Sequence, residues 1–349
     1  MKKGFATVAQ LSGFDEFIDA RTPAEFEEDH IPGAVNCPVL DNEQRVIVGT
    51  IYKQRSAFEA RRIGGAMVAE NIARHLRERF HDKPKDWRPL VYCWRGGQRS
   101  GSFVTWLRLV GWDACQLEGG YKNWRRMVVD ELLTLPLKFD FRVICGATGS
   151  GKTRVLEALA AQGAQVLDLE QLAAHKGSVL GALPDRPQPT QKAFETALFG
   201  VLRGLDPARP VFVEAESRKI GRIQVPEGLI ERMRASACIA IEASREARLE
   251  FLVRDYAYLG DDVSDLQRKI DFLKGLQANE TLAHWKTLAE RRELPTLFAE
   301  FIDKHYDPLY QRSQNRNFSR FPDAPRHAAD DLSPAGVQAL AERILAASI

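Results

Sequence analysis

Leu90-Val91-Tyr92-Cys93-Trp94-Arg95-Gly96-Gly97-Gln98-Arg99-Ser100-Gly101 is an apolar run that stops at a cysteine and continues as a glycine- and arginine-rich loop. The helix-forming Ser102-Phe103-Val104-Thr105-Trp106-Leu107 follows directly. Strand, loop and helix N-terminus in this order point successive backbone N–H groups and the positive end of a helix dipole at one sulfur atom. A cysteine in such a place serves as a nucleophile. A purely structural, half-buried cysteine would need neither the glycines nor the arginines. Cys93 is therefore the candidate catalytic residue, and Arg95, Gly96, Gly97 and Arg99 are the candidate cradle for an anion.

Around this loop, short apolar runs alternate with helix-like segments. Residues 14–20 read as a strand, residues 23–30 as a short acidic helix, and residues 31–36 as a turn feeding a second strand. Met67, Val68, Ile72 and Leu76 recur at helical spacing across residues 66–80, the pattern of a crossover helix. Such alternation predicts a parallel α/β sheet, with Cys93 at the carboxyl end of a strand, where open α/β sheets place their ligands. Residues 48–64 add a cluster of positive charge, read either as a solvated helix face or as an RNA-contacting insert.

The 349 residues are long for one core, so two domains are expected. An apolar content of 44% and a charged content of 28% are those of ordinary globular protein. A net charge of +2 means that a nucleic-acid partner would need a local basic patch rather than a global field. The five cysteines are scattered without a CxxC pair, which removes an obvious zinc site or disulfide framework. No apolar h-region follows Lys2 and Lys3, and no run approaches the roughly 20 residues of a membrane span. A cytoplasmic, monomeric protein without a membrane partner is expected.

Residues 130–141 read as a linker, and the domains are placed at 1–133 and 134–349. Phe141-Arg142-Val143-Ile144-Cys145 is the next strand, and it runs into Gly146-Ala147-Thr148-Gly149-Ser150-Gly151-Lys152-Thr153 ahead of a helix-like segment. This is the phosphate-cradling G-x-x-x-x-G-K-[ST] motif in its required strand-then-helix context. Gly146, Gly149, Ser150 and Gly151 let the backbone wrap a diphosphate, Lys152 neutralises it, and the Thr153 hydroxyl is placed to bind Mg2+. Val211-Phe212-Val213-Glu214 is a second apolar strand ending in an acid, with Glu216 and Arg218 just beyond. Asp168 and Glu170 follow a third short strand. Asp168, Glu170, Glu214, Glu216 and Arg218 are thus the candidate substrate or Mg2+ site. His175 reads equally as a general base or a surface histidine. From residue 243 the chain becomes helix-rich, with Arg248, Arg254, Asp255 and Tyr256 read as a lid over the phosphate loop or as a packed helical cap. Aromatics and arginines interleave over residues 304–312 and 315–320, read as an RNA contact or as an ordinary helix terminus.

Two resemblances extend these readings. Ile18-Asp19-Ala20-Arg21-Thr22-Pro23-Ala24-Glu25 with His30-Ile31-Pro32-Gly33-Ala34 resembles the opening motif of rhodanese-type sulfurtransferases, and residues 117–124 resemble the closing motif. This implies a chalcogen carried on Cys93 as a persulfide or perselenide, and a structural Asp19–Arg21 ion pair. One departure is the C-x5-R spacing from Cys93 to Arg99, which is longer than in common rhodaneses and also resembles dual-specificity phosphatases and arsenate reductases. Those phosphatases usually carry His where this chain has Tyr92. The longer loop suits a tetrahedral oxyanion, with Arg99 forking onto two oxygens.

A rhodanese-like domain fused to a phosphate-loop domain, together with residues 167–181 and 211–221, resembles the bacterial tRNA 2-selenouridine synthase family. Ala215 departs from the acidic residue expected there. The resemblance implies replacement of sulfur by selenium in 2-thiouridine at the wobble position (U34) of tRNAs such as those for Lys, Glu and Gln. Selenophosphate, delivered by a selenophosphate-supplying enzyme, would be the selenium donor, and S-geranyl-2-thiouridine made from geranyl diphosphate would be the intermediate. The alternatives are a sulfurtransferase domain fused to an ATP-dependent RNA or small-molecule kinase, and a non-catalytic adaptor that only binds anions.

Overall fold

The computed structural model describes residues 4–348, without the side chains of residues 311–315 and 348. The chain divides into two compact units, Met1–Glu131 and Leu132–Ile349. Both are α/β and both are built on a five-stranded parallel sheet, the class expected from the alternation of strands and helices.

The first unit contains β1 (Phe5–Ala6), β2 (Glu16–Asp19), β3 (Ala34–Asn36), β4 (Pro89–Tyr92) and β5 (Cys115–Leu117) in the spatial order β1-β5-β4-β2-β3. β4 is central, and all four of its residues are buried, which is why it reads as a continuous apolar run rather than an alternation. Cys93 leaves its carboxyl end, and the helix Gln98–Val110 begins five residues later. Behind β2, the Asp19 carboxylate accepts from the Arg21 guanidinium at 2.6 Å, and both side chains are essentially inaccessible. Arg21 also donates to the Asp29 carbonyl at 2.6 Å and lies 3.9 Å over the Tyr121 ring. A buried charge so fully partnered ties the loops after β2 to the helix Gly120–Thr134, and it is structural.

Residues 48–64 lie largely on helices, as the reading of a solvated helix face expects. They join the helices Asn42–Gln54 and Ala57–Glu78 into a hairpin, so the second helix starts nine residues before the expected residue 66. Asp41 and Ser56 cap these helices by accepting from the N–H groups of Gln44 and Glu59. The hairpin closes where Gly64 faces Val48, because a Cβ at Gly64 would sit 3.1 Å from the valine methyls. The expected linker is also ordered: the helix Gly120–Thr134 runs through residues 130–134 and a 3-10 turn, Leu135–Lys138, follows. Buried Leu132, Leu135 and Pro136 explain this, since their burial holds the segment in place.

The second unit contains β6 (Phe141–Gly146), β7 (Gln165–Leu167), β8 (Val211–Glu214), a two-stranded hairpin of β9 (Lys219–Ile220) and β10 (Ile223–Gln224), β11 (Ala237–Glu242) and β12 (Arg326–Ala328). Its main sheet runs β12-β11-β6-β8-β7, so β6 lies in the middle and opens at its carboxyl end into the phosphate loop. One core packs Ile144, Leu156, Phe212 and Ile241 against the C-terminal helix through Leu340 and Ile344. A second core, around Trp285, Phe298 and Phe301, holds the helices Arg245–Asp255, Val263–Asp271, Asn279–Glu290 and Leu294–Phe301 together. Among the described residues, no helix is long and apolar enough to cross a membrane.

Candidate functional sites

In the first unit the cysteine loop turns tightly around Cys93. The sulfur accepts two hydrogen bonds, from the Gly97 N–H at 3.3 Å and from Ser100 Oγ at 3.1 Å. Gln116 Nε2 in turn donates to Ser100 Oγ at 2.8 Å and to the Gly97 carbonyl at 2.9 Å, locking both donors in place. Two glycines make the turn feasible. Gly96 has φ +64°, and a Cβ there would lie 2.7 Å from the Leu117 carbonyl. Gly120 has φ +61°, and a Cβ there would lie 2.3 Å from the Cys93 carbonyl. The Tyr121 N–H donates to that same carbonyl at 2.9 Å, so the expected closing motif acts as a clamp on the loop. By contrast, Cys37 is a buried structural thiol whose acidity burial suppresses, with its pKa pushed up to about 12.

The two arginines of the expected cradle separate. Arg99 does not fork onto an open anion site: its guanidinium is held by Glu25, at 2.6 Å and 3.2 Å from the two carboxylate oxygens. Burial works against a charged Glu25, but the Arg99 hydrogen bond and charge outweigh it and hold this carboxyl below its usual range. Glu25 also accepts from the Thr22 N–H and so fastens the arginine to a capped helix N-terminus. Arg95 is exposed, and among the described residues no carboxylate pairs with it. The uncompensated positive charge of the loop therefore belongs to Arg95. The contacts that Ser100, Gln116 and Glu25 make around this loop are not foreseen in the sequence. Ser100, a hydroxyl placed directly after the C-x5-R span, was the one legible signal.

In the second unit the phosphate loop surrounds the carboxyl end of β6. Gly149 (φ +84°) and Gly151 (φ +74°) take left-handed conformations, and Gly151 precedes the helix Lys152–Ala161. Lys152 Nζ donates to the Gly146 carbonyl at 3.0 Å, curled over the cradle that a phosphate would fill. Among the described residues, Ser150 Oγ is buried without a hydrogen-bond partner, as is Glu214 Oε2. Thr153 Oγ1 donates to Glu170 Oε2 at 2.7 Å. The Glu170 N–H donates to Glu214 Oε1 at 2.8 Å, so Glu214 anchors the backbone that presents Glu170. Among the described residues, no three or more His, Cys, Asp or Glu side chains could hold a metal by themselves. One hydroxyl and one carboxylate suit Mg2+ if water and phosphate oxygens fill its other positions.

The remaining candidates sort unevenly. Asp168 caps the helix Leu169–Ala173 by accepting from the Gln171 N–H at 2.7 Å, which makes it a structural acid. Arg218 turns outward to Glu227 at 2.8 Å, and both are well exposed, so it does not reach the loop. Glu216 lines the cavity and shares a hydrogen bond with Glu170. His175 is buried rather than at the surface; burial lowers its basicity, and among the described residues its Nδ1 lacks a hydrogen-bond partner. Of the expected lid, Arg248 donates to the Thr148 carbonyl and pairs with Asp307, and Arg254 donates to the Leu332 carbonyl, so both brace the fold. Asp255 instead gathers Arg154 and Lys176, at 2.7 Å and 2.6 Å, into a cationic rim beside the phosphate loop.

A cavity of about 510 Å³ joins these features, lined by the phosphate loop together with Val179, Leu252, Tyr256, Tyr306, Leu309 and Phe318. The arginine–aromatic stretch after residue 304 thus turns part of its apolar surface into the phosphate site. His305, Tyr306, Tyr310 and Phe318 line the cavity. Arg312 and Asn315 lie outside the described side chains.

The acids around Lys152 carry a pH dependence. Burial, then the charge of Glu170, pushes the Glu216 carboxyl up to about 8 against the opposing Lys152. An unfolded carboxyl releases its proton near 4.5. Between these values the folded chain retains a proton that the unfolded chain has lost, so stability falls as pH rises. The melting temperature of the ligand-free protein is expected to drop between about pH 5 and about pH 8, and Glu216→Gln is expected to flatten that drop. Parallel curves for the two proteins would contradict this placement of the proton.

Comparison with known proteins matches residues 6–127 to the Rhodanese-like domain family and residues 139–284 to the tRNA 2-selenouridine synthase AAA domain. A Nitrosomonas europaea protein named tRNA 2-selenouridine synthase is 36% identical over 325 residues, covering 91% of this chain and 80% of its own. A protein of the same name from Alcanivorax borkumensis is 31% identical, covering 84% of this chain and 89% of its own. Both the cysteine loop and the phosphate loop thus fall within matched segments, and the chain belongs to the tRNA 2-selenouridine synthase family.

Proposed function

We propose that the protein converts 2-thiouridine at the tRNA wobble position to 2-selenouridine in two steps, with geranyl diphosphate used in the second unit and selenophosphate in the first. The observation that carries this reading is the cavity of the second unit, whose lining combines a phosphate cradle with the apolar side chains Val179, Leu252, Tyr306, Leu309 and Phe318. That pairing suits an alkyl diphosphate better than a polar phosphate donor. Lys152 and the N–H groups of the loop bind the diphosphate, and Thr153 with Glu170 would hold a Mg2+ that offsets charge on the departing pyrophosphate. The thiocarbonyl sulfur attacks C1 of the geranyl group, the C1–O bond breaks, and the N3 proton of the base is lost. Alkylation turns a poor leaving group into a thiol and makes C2 electrophilic.

Electron counting constrains the second step. Thiolate sulfur and the selenium of selenophosphate are both fully reduced, so a perselenide on Cys93 would require a two-electron oxidant. A redox-neutral route uses Cys93 as a covalent nucleophile. Its sulfur adds to C2 and geranylthiol leaves. Selenophosphate, held by Arg95 and the loop N–H groups, then attacks C2 through selenium and releases Cys93. Water cleaves the Se–P bond to leave 2-selenouridine and phosphate. Gly97 N–H and Ser100 Oγ support the sulfur as it enters and leaves.

The test supplies purified protein with 2-thiouridine-containing tRNA, geranyl diphosphate, Mg2+ and selenophosphate, followed by nucleoside mass spectrometry. An S-geranyl species that gives way to 2-selenouridine is expected. ATP consumption with phosphorylated product, in place of the S-geranyl species, would establish the kinase reading instead.

A further inference from the structure

A groove of about 1090 Å³ in the first unit is not filled by the chemistry above. It lies between the helical hairpin and the helix Gln98–Val110 that starts at the cysteine loop, with Gln98, Arg99 and Gln116 at its edge. Arg45, Arg61, Arg99 and Arg108 line it, and no Asp or Glu does. Arg99 is neutralised by Glu25, but among the described residues neither Arg45 nor Arg61 has an ion-pair partner, and both are exposed. Between the arginines stand aromatic rings open to solvent: Tyr52 is 62% exposed and Trp106 45%, with Phe5 at 39%. Exposed apolar rings gathered in one groove mark an interaction site, where rings scattered singly would not.

We infer that this groove is an RNA-docking surface that grips the anticodon loop, with Arg45 and Arg61 on the phosphates and Tyr52 and Trp106 stacking on unpaired bases. The inference rests on the function proposed above for its choice of RNA. Cationic side chains without carboxylates, interleaved with flat apolar rings, match a strand that is anionic along its backbone and aromatic at its bases. A protein partner of ordinary composition would place its own lysines and arginines against this face. Gln116 couples the groove to the chemistry: it lines the groove and holds the Ser100 hydroxyl that bonds the Cys93 sulfur.

Binding of a fluorescein-labelled anticodon stem–loop RNA to the full chain, followed by anisotropy over a series of salt concentrations, tests this. Arg45→Glu with Arg61→Glu is expected to weaken binding at least about tenfold and to lower the salt slope by about 1 to 2. Trp106→Ala is expected to weaken binding about tenfold with the salt slope unchanged. Photo-crosslinking of the wild-type chain to the same RNA carrying 4-thiouridine in the loop reads the contact without any variant. Crosslinks within residues 42–61 or 98–108 support the groove. Crosslinks confined elsewhere, or wild-type RNA affinity in the double variant, overturn it. So does wild-type RNA affinity in the double variant accompanied by dimerisation of the wild-type chain through this face. If the wild-type chain makes no 2-selenouridine yet shows these crosslinks and affinities, the reaction is misassigned and the docking surface stands.

Discussion

Cys93→Ala is expected to stop formation of 2-selenouridine, with a loss of at least about 10³-fold, while S-geranyl-2-thiouridine still accumulates at the wild-type rate. The size follows from the role. A covalent nucleophile cannot be replaced by its surroundings, and the methyl of alanine forms no bond to C2. The selectivity follows from the cysteine's position, held by donors from its own loop and helix, with no part in the phosphate cradle of the other unit. Time courses of both nucleosides by mass spectrometry make the measurement. The covalent route adds a sharper outcome: with preformed S-geranyl RNA and no selenophosphate, wild-type protein releases geranylthiol and is captured as a Cys93–RNA adduct after denaturation. Unchanged selenium incorporation in Cys93→Ala would remove this cysteine from the mechanism. Loss of both nucleosides would show that the two steps are not divided as proposed.

Lys152→Ala is expected to lower geranyl transfer by about 10²–10³-fold, the usual effect of removing one preorganised charge from a developing anion. Its ammonium is the cation of the phosphate loop, and in the ligand-free chain it rests 3.0 Å from the Gly146 carbonyl, a contact that phosphate oxygens would replace. Pyrophosphate release from geranyl diphosphate measures the loss directly. A bypass distinguishes this site from the cysteine. Given preformed S-geranyl RNA and selenophosphate, Lys152→Ala is expected to make 2-selenouridine at the wild-type rate. A defect that persists through the bypass would place Lys152 in both steps.

Much of the architecture could be read from local pattern. The apolar run 90–92 predicts a buried central strand because both faces of a parallel sheet are covered, and β4 is that strand. The motif from Gly146 to Thr153 predicts its own backbone, since its glycines are needed where φ is positive and its lysine opens a helix. The helices of residues 48–64 were partly legible, but their pairing into a hairpin was not, because its apolar contacts, such as Gly64 against Val48, depend on a partner helix. His175 was equally opaque, for nothing in His175-Lys176-Gly177-Ser178 reveals that the imidazole points inward.

The sequence by itself determined the two α/β units, the cysteine loop and the phosphate loop, because each is written in residues adjacent along the chain. Only the tertiary structure decided which charges those sites can use. Arg99 and Arg95 are four residues apart and look alike in the sequence, yet Glu25, 74 residues upstream of Arg99, neutralises only Arg99. Arg218 and Glu216 are two apart, and the strand end sends one to Glu227 and the other into the cavity. A side chain's charge is spent or available according to what packs beside it, and those neighbours come from distant parts of the chain.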